Sequence, residues 1–203
     1  THGIVDLKKA IAESCDVFFY MLGGGYKNQE GLGPTRIKKY LNMFGWESKT
    51  NIDLPNENKG FIPSPEWKKR TKNEGWWDGD SYNLSIGQGD LKVTPIEDTM
   101  AYVALANGGT LYKPQLVKKI IDENKKDVKI FEPVVSGKIS VSSENIQIVR
   151  EGMRLAVTGE GISHASSVIL NSLPVKVAAK TGTAETSILK HYHNWITVFA
   201  PYD

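Results

Sequence analysis

The sequence predicts an α+β fold, an antiparallel sheet flanked by helices, and three observations predict it. Residues 175–179 and 195–200 are runs rich in β-branched and small side chains, and the polar stretch between them suits an antiparallel hairpin. Residues 116–121 and 128–131 repeat that pattern across a turn at 122–126. Between these runs, several segments carry apolar residues at helical spacing with their own start and stop residues.

In chain order, Asp6 is a fair N-cap, and residues 7–22 place Leu7, Ala10, Ile11, Val17, Phe18, Met21 and Leu22 at helical spacing. Ser14-Cys15-Asp16 interrupts that pattern and leaves two readings. Two helices with a break at Ser14 would set a hydroxyl and a carboxylate where the helix ends meet, under the N-terminal dipole of the second. One long helix would carry the same residues as an exposed polar turn. Gly23-Gly24-Gly25 ends the segment. Pro34 opens the next helix, with Ile37, Tyr40, Leu41 and Phe44 as its buried stripe and Gly45 as its close.

Residues 51–57 read as a short strand with a turn at Pro55-Asn56. Residues 60–80 read as a long loop holding Trp67, Trp76 and Trp77, either a lid or a loop whose tryptophans fill gaps beneath it. The cations Lys68, Lys69, Arg70 and Lys72 read as a solvated part of that loop. Gly87 and Gly89 flank Gln88, which implies backbone held tightly against a neighbour. Thr94-Pro95-Ile96-Glu97 is a capping box opening a helix with Ile96, Met100, Val103 and Ala104 inward, closed by Asn107-Gly108-Gly109. Ser142 or Ser143 caps a further helix, with Ile146, Val149, Met153 and Ala156 inward and Gly159 at its end. Residues 161–170 form a weaker helical pattern.

Composition excludes several classes. The 203 residues suffice for one domain with a sizeable core, or for part of a larger one. A formal net charge of +2 with no basic patch gives no support for nucleic-acid binding. No apolar run approaches the ~20 residues of a membrane span. The single Cys15 excludes an internal disulfide. His191 and His193 lack a clustered acidic or cysteine partner, so they read as loop residues rather than a zinc site.

The most informative stretch is residues 175–185, in which a buried strand leads into Lys180-Thr181-Gly182-Thr183. Along a strand Thr181 and Thr183 share a face, and Gly182 lets a ligand approach the backbone. An ammonium, two hydroxyls and free edge N–H groups suit a carboxylate-bearing peptide; a lysine that merely ends a core strand is the alternative. A phosphate-binding P-loop fails, because Val175 and Ala179 stand where that motif needs glycine.

Ser14-Cys15-Asp16, then Ile86-Gly87-Gln88-Gly89, then Val93-Thr94-Pro95, then Lys180-Thr181-Gly182-Thr183-Ala184-Glu185 resemble, in order and spacing, the transpeptidase domain of class B penicillin-binding proteins. Pro65-Glu66-Trp67-Lys68 with Trp77-Asp78-Gly79-Asp80 resembles the elongation-type subgroup, the penicillin-binding protein 2 group. The resemblance implies the fold shared with serine β-lactamases, here incomplete at both ends. Residues 1–203 are then expected to be the C-terminal part of one transpeptidase domain, with last strands lying downstream. Of the family's three motifs, Ser-x-x-Lys, Ser-x-Asn and Lys-Thr-Gly, two are present, with Asp16 in place of Asn. The first, with the nucleophile, is expected upstream. Ser187-Ile188-Leu189-Lys190 matches it only in the wrong order and on a loop, and reads as coincidence.

The resemblance implies a serine acyl-enzyme that cross-links D-Ala-D-Ala stem peptides, with this segment alone inactive. It implies that Ser14 relays protons, Asp16 anchors the upstream lysine or the substrate amide, and Lys180 supplies a positive field. Thr181, Gly182 and Thr183 would hold the substrate carboxylate, the N–H of Thr183 serving as one oxyanion donor. It further implies no metal or organic cofactor, and peptidoglycan stem peptides and β-lactams as ligands. Implied partners of the parent protein are a membrane-embedded glycan polymerase and elongation-complex scaffold proteins, with no nucleic acid. A single-pass anchor in the cytoplasmic membrane would leave the domain on the outer, periplasmic face. A β-lactamase or penicillin-sensing relative, or a non-catalytic partner-binding module, are the rival readings.

Overall fold

The computed structural model describes residues 2–186 and 191–203. It is α+β, with seven α-helices and six strands in three two-stranded antiparallel pairs among the described residues. The two-helix reading of the N-terminal segment holds: α1 is Leu7–Ala12 and α2 is Asp16–Gly24. Asp6 caps α1 by accepting a hydrogen bond from the Lys9 N–H at 2.8 Å. Ser14 makes the break, with φ at +51°, a left-handed value that is uncommon for a non-glycine residue.

α3, Gly33–Met43, begins with Pro34 as expected, but its stripe is not fully buried. Ile37, Tyr40, Leu41 and Phe44 instead line an apolar cavity of about 440 Å³ shared with Phe19, Leu22 and Leu84. Residues 51–57 are not a strand. Asn51 and Asn56 both take left-handed φ values, and the Glu57 carboxylate accepts from the Thr50 and Asn51 N–H groups, closing a compact turn.

The long loop over residues 60–80 is about half helical. α4, Pro65–Lys72, starts from Ser64, whose Oγ accepts from the Trp67 N–H at 3.2 Å. α5, Asp78–Ser85, starts where Asp80 accepts from the Trp77 N–H. The Ser64-Pro65-Glu66 start signal was present in the sequence, but the tryptophans and prolines around it obscured the short helices. The cations of α4 are not all solvated either. Lys68 is buried and bonds both oxygens of Asp80 at 2.9 and 2.7 Å, tying α4 to α5.

α6, Pro95–Ala106, carries the expected capping box, and it buries Met100 and Ala104 as expected, along with Glu97 and Ala101. β1, Thr110–Lys113, pairs with β4, Val134–Lys138, a pairing the sequence reading did not contain. Between them, β2 (Lys119–Ile121) and β3 (Asp127–Ile130) form the expected hairpin, exposed along its length. α7, Ser143–Thr158, starts at Ser142 and ends at Gly159 with φ +67°, as expected. The weaker helix at 161–170 is replaced by a 3₁₀ turn, Val168–Ser172.

α7 is the spine of the core. Ile146, Met153 and Val157, seven and then four residues apart, share one face and each belongs to a different buried cluster. Met153 packs with Ile11 of α1 and with Ala178, and Val157 packs with Val177 and Ala179. Ala178 opens β5, Ala178–Glu185, which pairs antiparallel with β6, Tyr192–Phe199. β5 therefore starts later than the strand expected at 175–179, because Val175 and Lys176 lie exposed before the core contacts begin. The expected 195–200 strand starts three residues earlier, since pairing continues out to Glu185 opposite Tyr192.

The α1–α7 contact sets the position of Ser14. A Cβ at Gly152 would stand 3.0 Å from Cβ and Cδ1 of Ile11. Gly152→Val is expected to cost about 1–3 kcal/mol through overpacking, read as a lower urea midpoint. Gly152→Ala should come closer to neutral, because the gain in helix propensity of about 1 kcal/mol offsets part of the crowding.

Candidate active site

The break at Ser14 and the strand β5 meet in space. The left-handed turn ends α1, with the Cys15 N–H bonded to Ala10 O at 2.9 Å, and the Ser14 side chain reaches toward β5. Lys180 Nζ donates to Ser14 Oγ at 2.8 Å, across 166 residues of sequence, and to the carbonyl of Thr181 at 2.5 Å. The core below holds both partners: Ile11 anchors α1, and Ala178 and Ala179 anchor β5 on α7. Burial pushes the Lys180 ammonium below the ordinary lysine value, while the Asp16 charge pulls the other way. Loss of its proton is easier than for a solvated lysine.

Asp16 is the first residue of α2 and is exposed. Among the described residues it makes no ion pair, so its effect on Lys180 is through space. It faces a cavity of about 460 Å³ that Tyr20, Gln88 and Thr183 also line. A second cavity of about 480 Å³ runs along Lys180, Thr181, Gly182 and Thr183. All six residues singled out in the sequence thus lie around the Ser14–Lys180 contact or along the adjoining strand.

The strand presents an edge to this space. β6 covers one side of β5, with Gly182 opposite Trp195, and no strand covers the other among the described residues. Antiparallel alternation turns the backbone groups of Thr181, Thr183 and Glu185 to that free side. Three of them take side-chain partners there: Thr181 O from Lys180, Thr183 O from Gln88, and Glu185 N to Gln88. By the same alternation the Thr183 N–H faces the edge, where it can meet a negative oxygen. The arrangement offers a half-buried cation, a hydroxyl bonded to it, two threonines on one face and edge N–H groups. It can hold a carboxylate-bearing extended peptide and move protons beside it.

Gln88 is the residue whose contacts sequence reasoning missed. The Gly-Gln-Gly pattern signalled a constrained backbone but not that the side chain reaches β5. Ser187-Ile188-Leu189-Lys190 lies outside the described residues. Among the described residues no group of three or more His, Cys, Asp or Glu is placed to hold a metal ion, and no helix is long and apolar enough to cross a membrane.

A family model described as the penicillin binding protein transpeptidase domain matches residues 1–203. A peptidoglycan D,D-transpeptidase MrdA of Acinetobacter baumannii is 34% identical over 191 residues, covering 91% of this chain and 26% of that protein. The MrdA of Salmonella typhimurium is 34% identical over 222 residues, covering 99% of this chain and 33% of that protein. A solved complex between penicillin-binding protein PBP2 and MreC from Helicobacter pylori matches with TM-score 0.78 at 30% identity, over 99% of this chain and 34% of that one. The chain spans about a third or less of the length of these relatives.

Proposed function

The chain belongs to the penicillin-binding protein transpeptidase family, and from that premise we propose that its parent protein is an elongation-type peptidoglycan D,D-transpeptidase. The observation that carries the reading is the 2.8 Å bond from Lys180 to Ser14, which joins the two recognisable motif residues at the free edge of β5. The relatives named above as peptidoglycan D,D-transpeptidases support the reaction.

In this reading a serine of a Ser-x-x-Lys segment of the parent protein, outside residues 1–203, attacks the penultimate carbonyl of a D-Ala-D-Ala stem peptide. The C–N bond to the last alanine breaks, and its amine takes a proton relayed through Ser14 and Lys180. An amine of a neighbouring stem peptide then attacks the ester, loses a proton to the same relay and frees the serine. Thr181 and Thr183 hold the terminal carboxylate within the field of Lys180. The Thr183 N–H donates to the oxyanion, a contact of the kind typically contributing about 3 kcal/mol. Asp16 anchors the nucleophile's neighbouring lysine or the substrate amide. β-Lactams imitate the peptide and leave the serine acylated.

The same reading puts the parent protein at the cell wall, held by a membrane anchor with this domain on the periplasmic face. The complex of MreC with the Helicobacter pylori PBP2 supports a protein partner for the parent protein, and a membrane-embedded glycan polymerase would supply the strands. Against a synthetic pentapeptide ending in D-Ala-D-Ala with an amine acceptor, the parent protein should release D-alanine and form the cross-linked amide. Release with water alone as acceptor would favour a hydrolase, and no release at all would favour a binding module.

A further inference from the structure

Gln88 makes contacts that the acyl-transfer account leaves unused. Its Nε2 donates to the carbonyl of Thr183 at 3.1 Å, and its Oε1 accepts from the N–H of Glu185 at 3.3 Å. One carboxamide thus pairs a carbonyl and an N–H two residues apart on the free edge of β5, as a neighbouring strand would. The loop that presents it is fixed. Gln88 N–H bonds to Asn83 O at 2.8 Å, and Gly87 and Gly89 on either side both take φ of +79°, where a side chain would be strained. Gln88 also forms part of the wall of both the cavity along Lys180–Thr183 and the cavity over Asp16.

We propose that Gln88 is a specificity-determining residue of the acyl-donor groove, a side-chain stand-in for a strand that an incoming peptide must displace from β5. A ligand with a secondary amide able to donate to Thr183 O takes over that bond and moves the Gln88 carboxamide aside. A ligand with no such amide leaves Gln88 in place. Displacement breaks the two neutral hydrogen bonds of Gln88 and the ligand amide restores the one to Thr183 O, so a modest net cost falls only on ligands that must move Gln88. The inference rests on the transpeptidase reading above.

The test compares acylation rates of the full-length parent protein by benzylpenicillin, whose acylamino group carries an amide N–H, and by a carbapenem, which carries a hydroxyethyl group there. In Gln88→Ala the benzylpenicillin-to-carbapenem rate ratio should rise by about 3- to 10-fold, the worth of one or two neutral hydrogen bonds. Gln88→Glu should also raise the ratio, because a carboxylate cannot donate to Thr183 O. Its added charge acts on the carboxylate of both lactams and cancels in the ratio. An unchanged ratio, with both rates moving together, would show that Gln88 merely supports its loop and would overturn the proposal. A fall in the ratio would overturn it too, by making Gln88 a helper of amide binding. No adduct from either lactam on the wild-type protein would instead bring down the transpeptidase reading itself, and this inference with it.

Discussion

Lys180→Ala in the full-length parent protein should reduce covalent labelling by a fluorescent penicillin by about 10²–10⁴-fold, the range for losing a proton-transfer group or a preorganised charge contact. The ammonium bonds Ser14 Oγ and lies along the cavity with Thr181 and Thr183, so in the proposed mechanism its removal takes away both the relay and the field that favours the ligand carboxylate. The substitution should not lower the thermal midpoint, because taking a partly buried ammonium out of the protein removes a desolvation cost. A loss of labelling that tracks a loss of folded protein would contradict the assignment. The sign of the pH dependence follows from the burial of Lys180, which holds its value below that of free lysine. The charged form is therefore lost at a pH below about 10.4, the ordinary lysine value. Labelling of the wild type should decline on its basic limb below that pH.

Glu97→Ala should destabilise the fold more than Gly152→Val does. Glu97 is 1% exposed, and its carboxylate accepts from Gly60 N–H through Oε1 and from Thr94 N–H and hydroxyl through Oε2. It closes the capping box of α6 and at the same time ties down the segment before α4, 37 residues away. Beside it Phe61 and Lys92 exchange backbone hydrogen bonds at 2.7 and 2.9 Å, so the same anchor steadies the chain leading from Gln88 into α6. Alanine strands two backbone donors and should cost about 3–5 kcal/mol. For a domain of this size that is a fall of roughly 10 °C in thermal midpoint. The Glu97→Gln variant keeps one carbonyl oxygen, which can serve Gly60 or Thr94 but not both, so its loss should be intermediate. An alanine variant that melts within a degree or two of wild type would show that these donors find other partners.

Glu97 also shows what was legible in the sequence and what was not. Its capping box was readable because all the interacting groups lie within four residues, Thr94 to Glu97, and capping chemistry is local. Its bond to Gly60 was not, because nothing in the local pattern of either segment announces a partner 37 residues away. The same division runs through the molecule. The end of α7 at Gly159, the helix from Pro95 and the β5–β6 hairpin followed from periodicity and punctuation, whereas the break at Ser14 was one of two readings that the pattern left open. The β1–β4 pairing joins segments separated by another hairpin, and its register rests on tertiary packing. α4 and α5 are short, and Pro63, Pro65, Trp67, Trp76 and Trp77 lie in or beside them, so side-chain chemistry that suggested a loop outweighed a valid start signal at Ser64. At the site, the residue types of Ser14, Asp16 and Lys180–Thr183 were visible as motifs. The Gln88 contact was not, because a strand edge accepts any donor and leaves no pattern in the sequence.

The most direct test of the account is intact-mass spectrometry after incubation with benzylpenicillin, on the parent protein and on the 203-residue chain side by side. The account predicts one penicilloyl adduct on the parent protein, mapped by peptide digestion to the serine of a Ser-x-x-Lys outside residues 1–203, and none on the 203-residue chain. An adduct on Ser14 or Ser187, or no adduct on either protein, would contradict it.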